Sequence, residues 1–152
     1  RRIVLCDGVV RECLFWEIVR ETLRKMVPAE NFASTDSKIS SFAAGFGTAL
    51  FYEDQDVVKA LQEQFALYAD NFPVWSEHST GIAQFATWIA LAENNIGASL
   101  QHYNPIIDEE VAATFDVPAN GKLRAQLVFG SIEAPAGDKE FMNDADRFKT
   151  FH

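Results

Sequence analysis

The sequence predicts one domain of the α+β or α/β kind, with helices packed around a single sheet. Three observations carry that reading. Four short strand-like runs are each separated from the next by one or two segments of helical periodicity. The 152 residues match the length of one ordinary domain, long enough to bury a core. Nearly half of them, 48%, are apolar and 13 are Phe, a composition unlike that of disordered chains.

The elements follow in order. "RRIVLC" is a β-branched run that a turn at Asp7-Gly8 closes, so residues 2–6 are expected to form a strand. From Val9 to Val27 the period becomes helical. Val10, Cys13, Leu14, Ile18 and Met26 alternate with the charged set Arg11, Glu12, Glu17, Arg20, Glu21, Arg24 and Lys25, and Pro28 ends the helix. "STDSKISSFAAG" offers N-cap residues from Ser34 to Asp36 before a short helix that stops at Gly45 or Gly47. "TALFYE" reads as the second strand. Asp54 or Asp56 would cap the next helix, with Val57, Val58, Leu61, Phe65 and Tyr68 on one face.

"NFPVWSEHS" reads as a loop, and Ser79 or Thr80 as the start of a helix that is apolar almost all round from Ile82 to Leu91. A helix without a polar face is surrounded by protein, here either the centre of the fold or a subunit interface. Asn94, Asn95 and Gly97 stop it. "ASLQHY" is expected to be a strand, and Asp108 to cap a short helix reaching about Phe115. "KLRAQLVFG" is the clearest strand, with Leu123, Ala125, Leu127 and Phe129 on one face and Lys122, Arg124 and Gln126 on the other. Pattern is then lost until "DADRFKTFH". No internal repeat or low-complexity tract interrupts the chain.

The net charge of −9 disfavours a nucleic-acid partner and an anionic membrane surface, since both need a basic face. The most apolar stretch, Gly81 to Ala92, is too short to span a bilayer and is broken by Gln84 and Thr87. No signal-peptide pattern follows Arg1-Arg2-Ile3, and a first residue other than Met fits a processed or truncated piece. Cys6 and Cys13 are too few for a disulfide framework or a zinc site, so reduced thiols in a cytoplasmic protein are expected.

Motifs with their own chemistry are missing from the sequence: there is no P-loop, dinucleotide fingerprint, HExxH or nucleophile elbow. His78, His102 and His152 are too far apart to suggest a metal site, and none is expected. His78 reads as a solvent or capping residue. Three groups remain as site candidates. Gln101, His102, Tyr103 and Asn104, within "GASLQHYNP", either satisfy a strand end and turn before Pro105 or form a rim facing a planar polar ligand. Ser37 and Lys38 either lie on a solvated surface or bring a positive charge near an anionic group. Arg147 and Lys149, two apart near the C-terminus, are either merely exposed or placed to grip a phosphate.

The runs "NFASTDSKISSFAAGFGTALFYEDQDVV", "LYADNFPVWSEHSTGIAQFATWIALAENNIGASLQHYNPIIDEEV" and "KLRAQLVFGSIEAPAGDKEFM" together resemble the nitroreductase-like flavoproteins. The subgroup is that of the yeast fatty-acid-repression-mutant protein and related bacterial oxidoreductases. The resemblance covers roughly residues 2–151 and is most specific from Trp75 to Asp108. It implies an α+β fold with a central, mostly antiparallel sheet flanked by helices, assembled as an intertwined homodimer. It also implies FMN at the subunit interface, NAD(P)H as electron donor, and ping-pong reduction of nitroaromatics, quinones or similar small-molecule acceptors.

In that picture the apolar helix lies in the dimer core, and Gln101 to Asn104 run beside the isoalloxazine ring. A backbone N–H there typically faces the reactive flavin nitrogen. Ser37 and Lys38 approach the ring or ribityl chain, and Arg147 and Lys149 lie near the phosphate. No catalytic side chain is implied, although His102 and Tyr103 would contact substrate. The resemblance also implies a single domain over residues 1–152 that lacks about fifty N-terminal residues of the family, so Arg1-Arg2 are not its phosphate pair. Gly121 stands where relatives usually carry a large aromatic, which would leave a cavity costing about 3 kcal/mol. Two further readings accompany this one. One is a non-catalytic flavin- or lipid-sensing dimeric regulator of a fatty-acid or oxidative-stress response; the other is a dimerisation core that holds no flavin.

Overall fold

The computed structural model describes residues 2–7 and 9–151, with side chains for 12–151. Arg1, Gly8 with the turn expected there, the side chains of Cys6, Val10 and Arg11, and His152 lie outside the described residues. Four strands, β1 (Arg2–Asp7), β2 (Gly47–Asp54), β3 (Gly97–Gln101) and β4 (Gly121–Gly130), form one sheet in the order β1-β2-β4-β3. All neighbours run antiparallel. This selects α+β over α/β, because parallel neighbours joined by crossover helices are absent among the described strands.

The helices are α1 (Val9–Arg24), α2 (Phe32–Ala43), α3 (Gln55–Gln64), α4 (Phe72–Glu93), α5 (Asp108–Thr114) and the short α6 (Asp144–Arg147). Those of α1, α2 and α5 cover one face of the sheet. Phe15, Trp16 and Val19 of α1, Ile39 of α2 and Val111 of α5 pack there on Leu50, Tyr52, Leu123 and Val128. The other face is built from the smaller set Ala49, Phe51, Ala125 and Leu127, covered by Ala83 and Leu91 of α4. Strand β2 lies between two strands and two helical layers, so its residues 47–53 are all buried.

The face that α1 buries differs from the expected stripe. Cys13, Leu14 and Met26 are exposed, whereas Glu12, Phe15, Trp16, Ile18 and Val19 are buried. Glu12 belongs to the core side because Trp16 and Thr48 donate hydrogen bonds to its carboxylate. Helix α2 begins at Phe32, ahead of the expected caps, and ends at Ala43. Asp54 caps α3 by accepting from the N–H of Asp56 at 3.1 Å. Beyond Gln64 that helix stops, and Phe65 and Tyr68 stay largely exposed.

Helix α4 also starts earlier than expected. "FPVWSEHS" is helical, with Pro73 in the first turn, where its missing N–H needs no partner. His78 is therefore an exposed helix residue rather than a loop residue. Thr80 is not a cap: its hydroxyl donates back to the carbonyl of Ser76 at 2.9 Å. Asp108 is not a cap either. Ile107 occupies that position, and Asp108, Glu109 and Glu110 fill the first turn of α5, where negative charge suits the helix dipole.

Regular alternation fails at one place in β4. The pairing steps from Phe51↔Ala125 to Tyr52↔Leu123, leaving Arg124 as the extra residue of a β-bulge. Leu123 is thereby turned to the face of Tyr52 and Val128, opposite to Ala125 and Leu127.

The expected cavity at Gly121 is not there. A Cβ at this position would stand 2.9 Å from Val117 Cγ1 and 3.1 Å from the carbonyl oxygen of Pro118. The chain closes over the glycine instead of leaving room for an aromatic ring. Gly121→Ala is accordingly expected to lower stability by about 1–3 kcal/mol, from overpacking. Urea melts check it, and an unchanged midpoint would show that Val117 and Pro118 yield freely.

Candidate functional site

Past Gln101, β3 leaves the sheet two residues sooner than expected. The cause is a side chain on β4. Gln126 is fully buried opposite Gln101, and its Oε1 accepts the backbone N–H of Tyr103 at 2.7 Å. Its Nε2 donates to Asn104 Oδ1 at 3.0 Å. One side-chain amide thus replaces the next ladder contacts and bends the chain into a turn that runs into the cis peptide Asn104-Pro105. Gln101 Nε2 donates to Ser99 Oγ at 2.8 Å.

Within this turn His102 is exposed and Tyr103 is half-buried. The Tyr103 ring meets Trp16 edge-on, with centroids 5.9 Å apart. Burial pushes the Tyr103 phenol pKa above its ordinary value, so the neutral hydroxyl persists across the physiological range.

Beneath the turn lies a buried polar knot. Trp16 Nε1 donates to Glu12 Oε1 at 2.8 Å and to Thr48 Oγ1 at 3.1 Å, and the Thr48 hydroxyl donates to the same Glu12 oxygen at 2.6 Å. Burial pushes the Glu12 pKa up, and the bonds from Thr48 and Trp16 offset this only in part. Glu12 Oε2 has no hydrogen-bond partner among the described residues.

A second buried carboxylate behaves oppositely. Burial raises the Glu53 pKa, but Ser76, Arg124 and Gln55 together hold it below the ordinary value. Arg124, the bulge residue, reaches Glu53 Oε2 at 2.5 and 3.0 Å and Glu77 Oε1 on α4 at 2.9 Å.

The structure places the expected site residues in three groups. Gln101, His102, Tyr103 and Asn104 form the turn just described. Ser37 and Lys38 sit exposed on α2, with Lys38 Nζ 5.8 Å from the centre of the Phe42 ring. Phe42 lies 5.1 Å from Trp16, so an aromatic row connects the Lys38 helix to Tyr103. Arg147 and Lys149 lie on the exposed C-terminal segment. Arg147 is 3.8 Å from Asp144, and Lys149 sits over Phe151. This segment is not packed against the core, and its cations are not brought to the turn within this chain.

None of these eight residues lines a cleft of about 1060 Å³ that opens where β3 begins and β4 ends. Among the described residues no group of three or more His, Cys, Asp or Glu is arranged to hold a metal, and no helix is long and apolar enough to cross a membrane. Cys13 is a free, exposed thiol.

The sequence profile of the Nitroreductase family matches residues 2–131. The chain belongs to the nitroreductase family. Among curated relatives, HBN1 of Saccharomyces cerevisiae is 38% identical over 104 residues, covering 68% of this chain and 53% of that protein. The nitroreductase FRM2 of the same yeast is 36% identical over 99 residues, covering 65% and 50%. This nitroreductase-family chain thus spans about half the length of the curated relatives it matches. Among solved structures, the nitroreductase CinD from Lactococcus lactis in complex with chloramphenicol superposes with a TM-score of 0.90. It is 55% identical, over 99% of this chain and 76% of that one. The α+β nitroreductase fold implied by the sequence resemblance is thus present.

Three residues of this family member escaped the sequence reading: Glu12, Gln126 and Arg124. Gln126 had left a signal, a neutral amide between Ala125 and Leu127 in the most regular apolar strand. Glu12 had a fainter one, its spacing of four from Trp16, which places both on one helix face.

Glu12 leads to a pH prediction. Its folded-state pKa is raised, so its contribution to stability is fully present below the unfolded value and is lost as pH rises through the folded one. Glu12→Gln keeps an acceptor for Trp16 and Thr48 without a charge. The stability of Glu12→Gln relative to wild type is expected to rise with pH through that range. Denaturant melts from acid to neutral pH check this, and a difference independent of pH would refute it.

Proposed function

We propose that this chain forms an FMN-dependent NAD(P)H oxidoreductase that reduces nitroaromatic, quinone or similar acceptors by ping-pong hydride transfer as a homodimer. The observation that carries the reading is the match to CinD over nearly the whole chain. CinD has been captured with chloramphenicol, 4-nitrophenol and nicotinic acid. The first two ligands carry a nitrophenyl group, the acceptor chemistry proposed here.

The residues present suit a flavin. A planar ring needs a fixed polar edge, and the turn at 101–104 has its backbone held by a buried amide on one side and an aromatic packing on the other. Tyr103 N–H is already committed to Gln126, so the amide offered to the ring would come from a neighbour such as His102. Ser37 and Lys38 would approach the ring or ribityl chain, with the Lys38 ammonium offsetting negative charge. Arg147 and Lys149 would meet the phosphate, one of the few roles for paired cations in a chain of net charge −9. The Arg147–Asp144 pair is long and exposed, hence easily exchanged for a phosphate.

FMN, when bound, supplies the hydride exchange between NAD(P)H and the acceptor, so no side chain is assigned as acid or base. The protein holds the two partners in register and keeps water from the slot. His102, exposed at the turn, and Tyr103 would contact the acceptor.

Dimerisation is supported by α4. One side of this helix packs on the sheet through Ala83 and Leu91, yet Ile82 and Phe85 are 67% and 66% exposed, and Trp88 and Ile89 are also open. Such a continuous apolar surface is typical of a subunit interface. Phe65, Tyr68, Phe72 and Trp75 extend it with an aromatic cluster.

Two measurements test the reading. After soaking with FMN and desalting, the protein is expected to keep a flavin spectrum that bleaches anaerobically with NADH or NADPH and recovers on adding 4-nitrophenol. A retained spectrum that neither nucleotide bleaches would favour the sensing regulator, and a colourless protein the dimerisation core. Separately, Phe85→Glu is expected to convert a dimer to a folded monomer by light scattering, with unchanged circular dichroism. A Phe85→Glu protein that remains dimeric would remove α4 from the interface.

A further inference from the structure

Gln126 makes no contact with the exposed face of the turn, yet both of its hydrogen bonds end on the turn's backbone and Asn104. It is fully buried in a strand whose neighbours Ala125 and Leu127 are also buried. An apolar residue would fill this place at less cost unless the two bonds were needed, because a buried amide must have both its N–H and its C=O satisfied. Gln126 satisfies one of each, on consecutive residues of the turn. Two bonds from one planar group fix both the position and the rotation of the segment they hold, which a single bond does not.

We propose that Gln126 is a positioning residue for the cofactor site: its amide clamps Tyr103 and Asn104 and thereby sets where the amide and side chain of His102 stand. This rests on the reading of the 101–104 turn as the edge of a flavin. Displacing a positioning group by about 1 Å is enough to cost catalysis up to about a hundredfold. The clamp is fixed from the side away from solvent, so ligand entering the site does not compete for it. Gln126, fully buried on β4, is the stationary partner. The Trp16 edge contact holds the Tyr103 ring but leaves its backbone free to slide, so the two restraints are not redundant.

The test compares the full chain with Gln126→Leu, Gln126→Glu and Val128→Ala. Gln126→Leu conserves bulk and removes both bonds. Gln126→Glu keeps the acceptor for Tyr103 N–H, and Asn104 can turn its amide to donate to the second oxygen. Val128→Ala trims the same strand and the same core without removing either hydrogen bond to the turn, and serves as the control for lost stability.

Three quantities are read: exchange of the Tyr103 amide proton, FMN affinity from flavin fluorescence, and the rate of anaerobic reduction by NADH. For Gln126→Leu, Tyr103 exchange is expected to speed up, and affinity or reduction to fall by roughly tenfold or more. Gln126→Glu is expected to recover most of both. Val128→Ala is expected to lower the melting temperature while leaving all three quantities near wild type.

The proposal is overturned if Gln126→Leu exchanges Tyr103 faster but binds and reduces flavin as wild type does. It is equally overturned if Val128→Ala, matched for melting temperature, loses as much. An unprotected Tyr103 amide in wild type would remove the clamp itself. A wild-type chain with a protected Tyr103 amide that takes up no FMN would instead overturn the functional reading and, with it, the role assigned to the clamp.

Discussion

Helices cover both faces of the sheet, so a polar side chain on its inner strands has no water to turn to and must be satisfied by protein. Thr48, Glu53 and Gln126 are in that position, each almost wholly buried. Each resolves it by reaching a different part of the chain. Thr48 bonds Glu12 and so ties β2 to α1. Glu53 takes Arg124 and Gln55, joining β2 to β4 and to the start of α3. Gln126 takes Tyr103 and Asn104, and decides where the chain goes after β3. The apolar core gives the layers their affinity for one another, and these three residues fix how the connections leave them.

Much of this architecture was legible in the sequence. Four strands and the long helices follow from periodicity, because each buries a face whose spacing is fixed by its own geometry. What periodicity could not show was any feature set by a partner far along the chain. Glu12 looked like a member of a solvated charged stripe, because the hydroxyl that shelters it lies 36 residues away. The end of β3 was misplaced since the group that ends it is on β4. The beginning of α4 was hidden by Pro73, a residue that marks loops and first helical turns alike. The turn at 101–104 was identified as a polar cluster, but its anchor was not. Ser37-Lys38 and Arg147-Lys149 also stand out in the sequence as cations, but their assignment to a flavin follows only from family resemblance, and Arg147 and Lys149 remain apart from the turn within one chain.

That separation is intelligible from the surface of α4. A 22-residue helix whose buried residues include only Thr80 cannot be the centre of a lone subunit, although its sequence reads as a central helix. Ala83 and Leu91 face the sheet, whereas Ile82, Phe85, Trp88 and Ile89 face outward. Apolar side chains turned outward in this way suit the interface of the proposed dimer. The C-terminal segment, exposed throughout residues 131–151, likewise packs little against the rest of one copy. The proposed dimer would unite the turn of one subunit with cations on this exposed segment.

The bulge at Arg124 shows how local irregularity serves the same constraint. With strict alternation Arg124 would share a face with Gln126 and Val128 and put a guanidinium among Phe15, Trp16 and Val111. Glu12 on that face already shares its one hydrogen-bonded oxygen between two donors. The extra residue instead lets Leu123 fill that face while Arg124 leans toward Glu53 and, across the other layer, Glu77 of α4. The buried end of this pair matters more than the exposed one: Glu53 is nearly inaccessible, so losing Arg124 would strand its charge, whereas Glu77 is half-solvated. A single inserted residue thus separates the cation of β4 from the amide of β4. One secures the helix behind the sheet, and the other secures the turn at its edge.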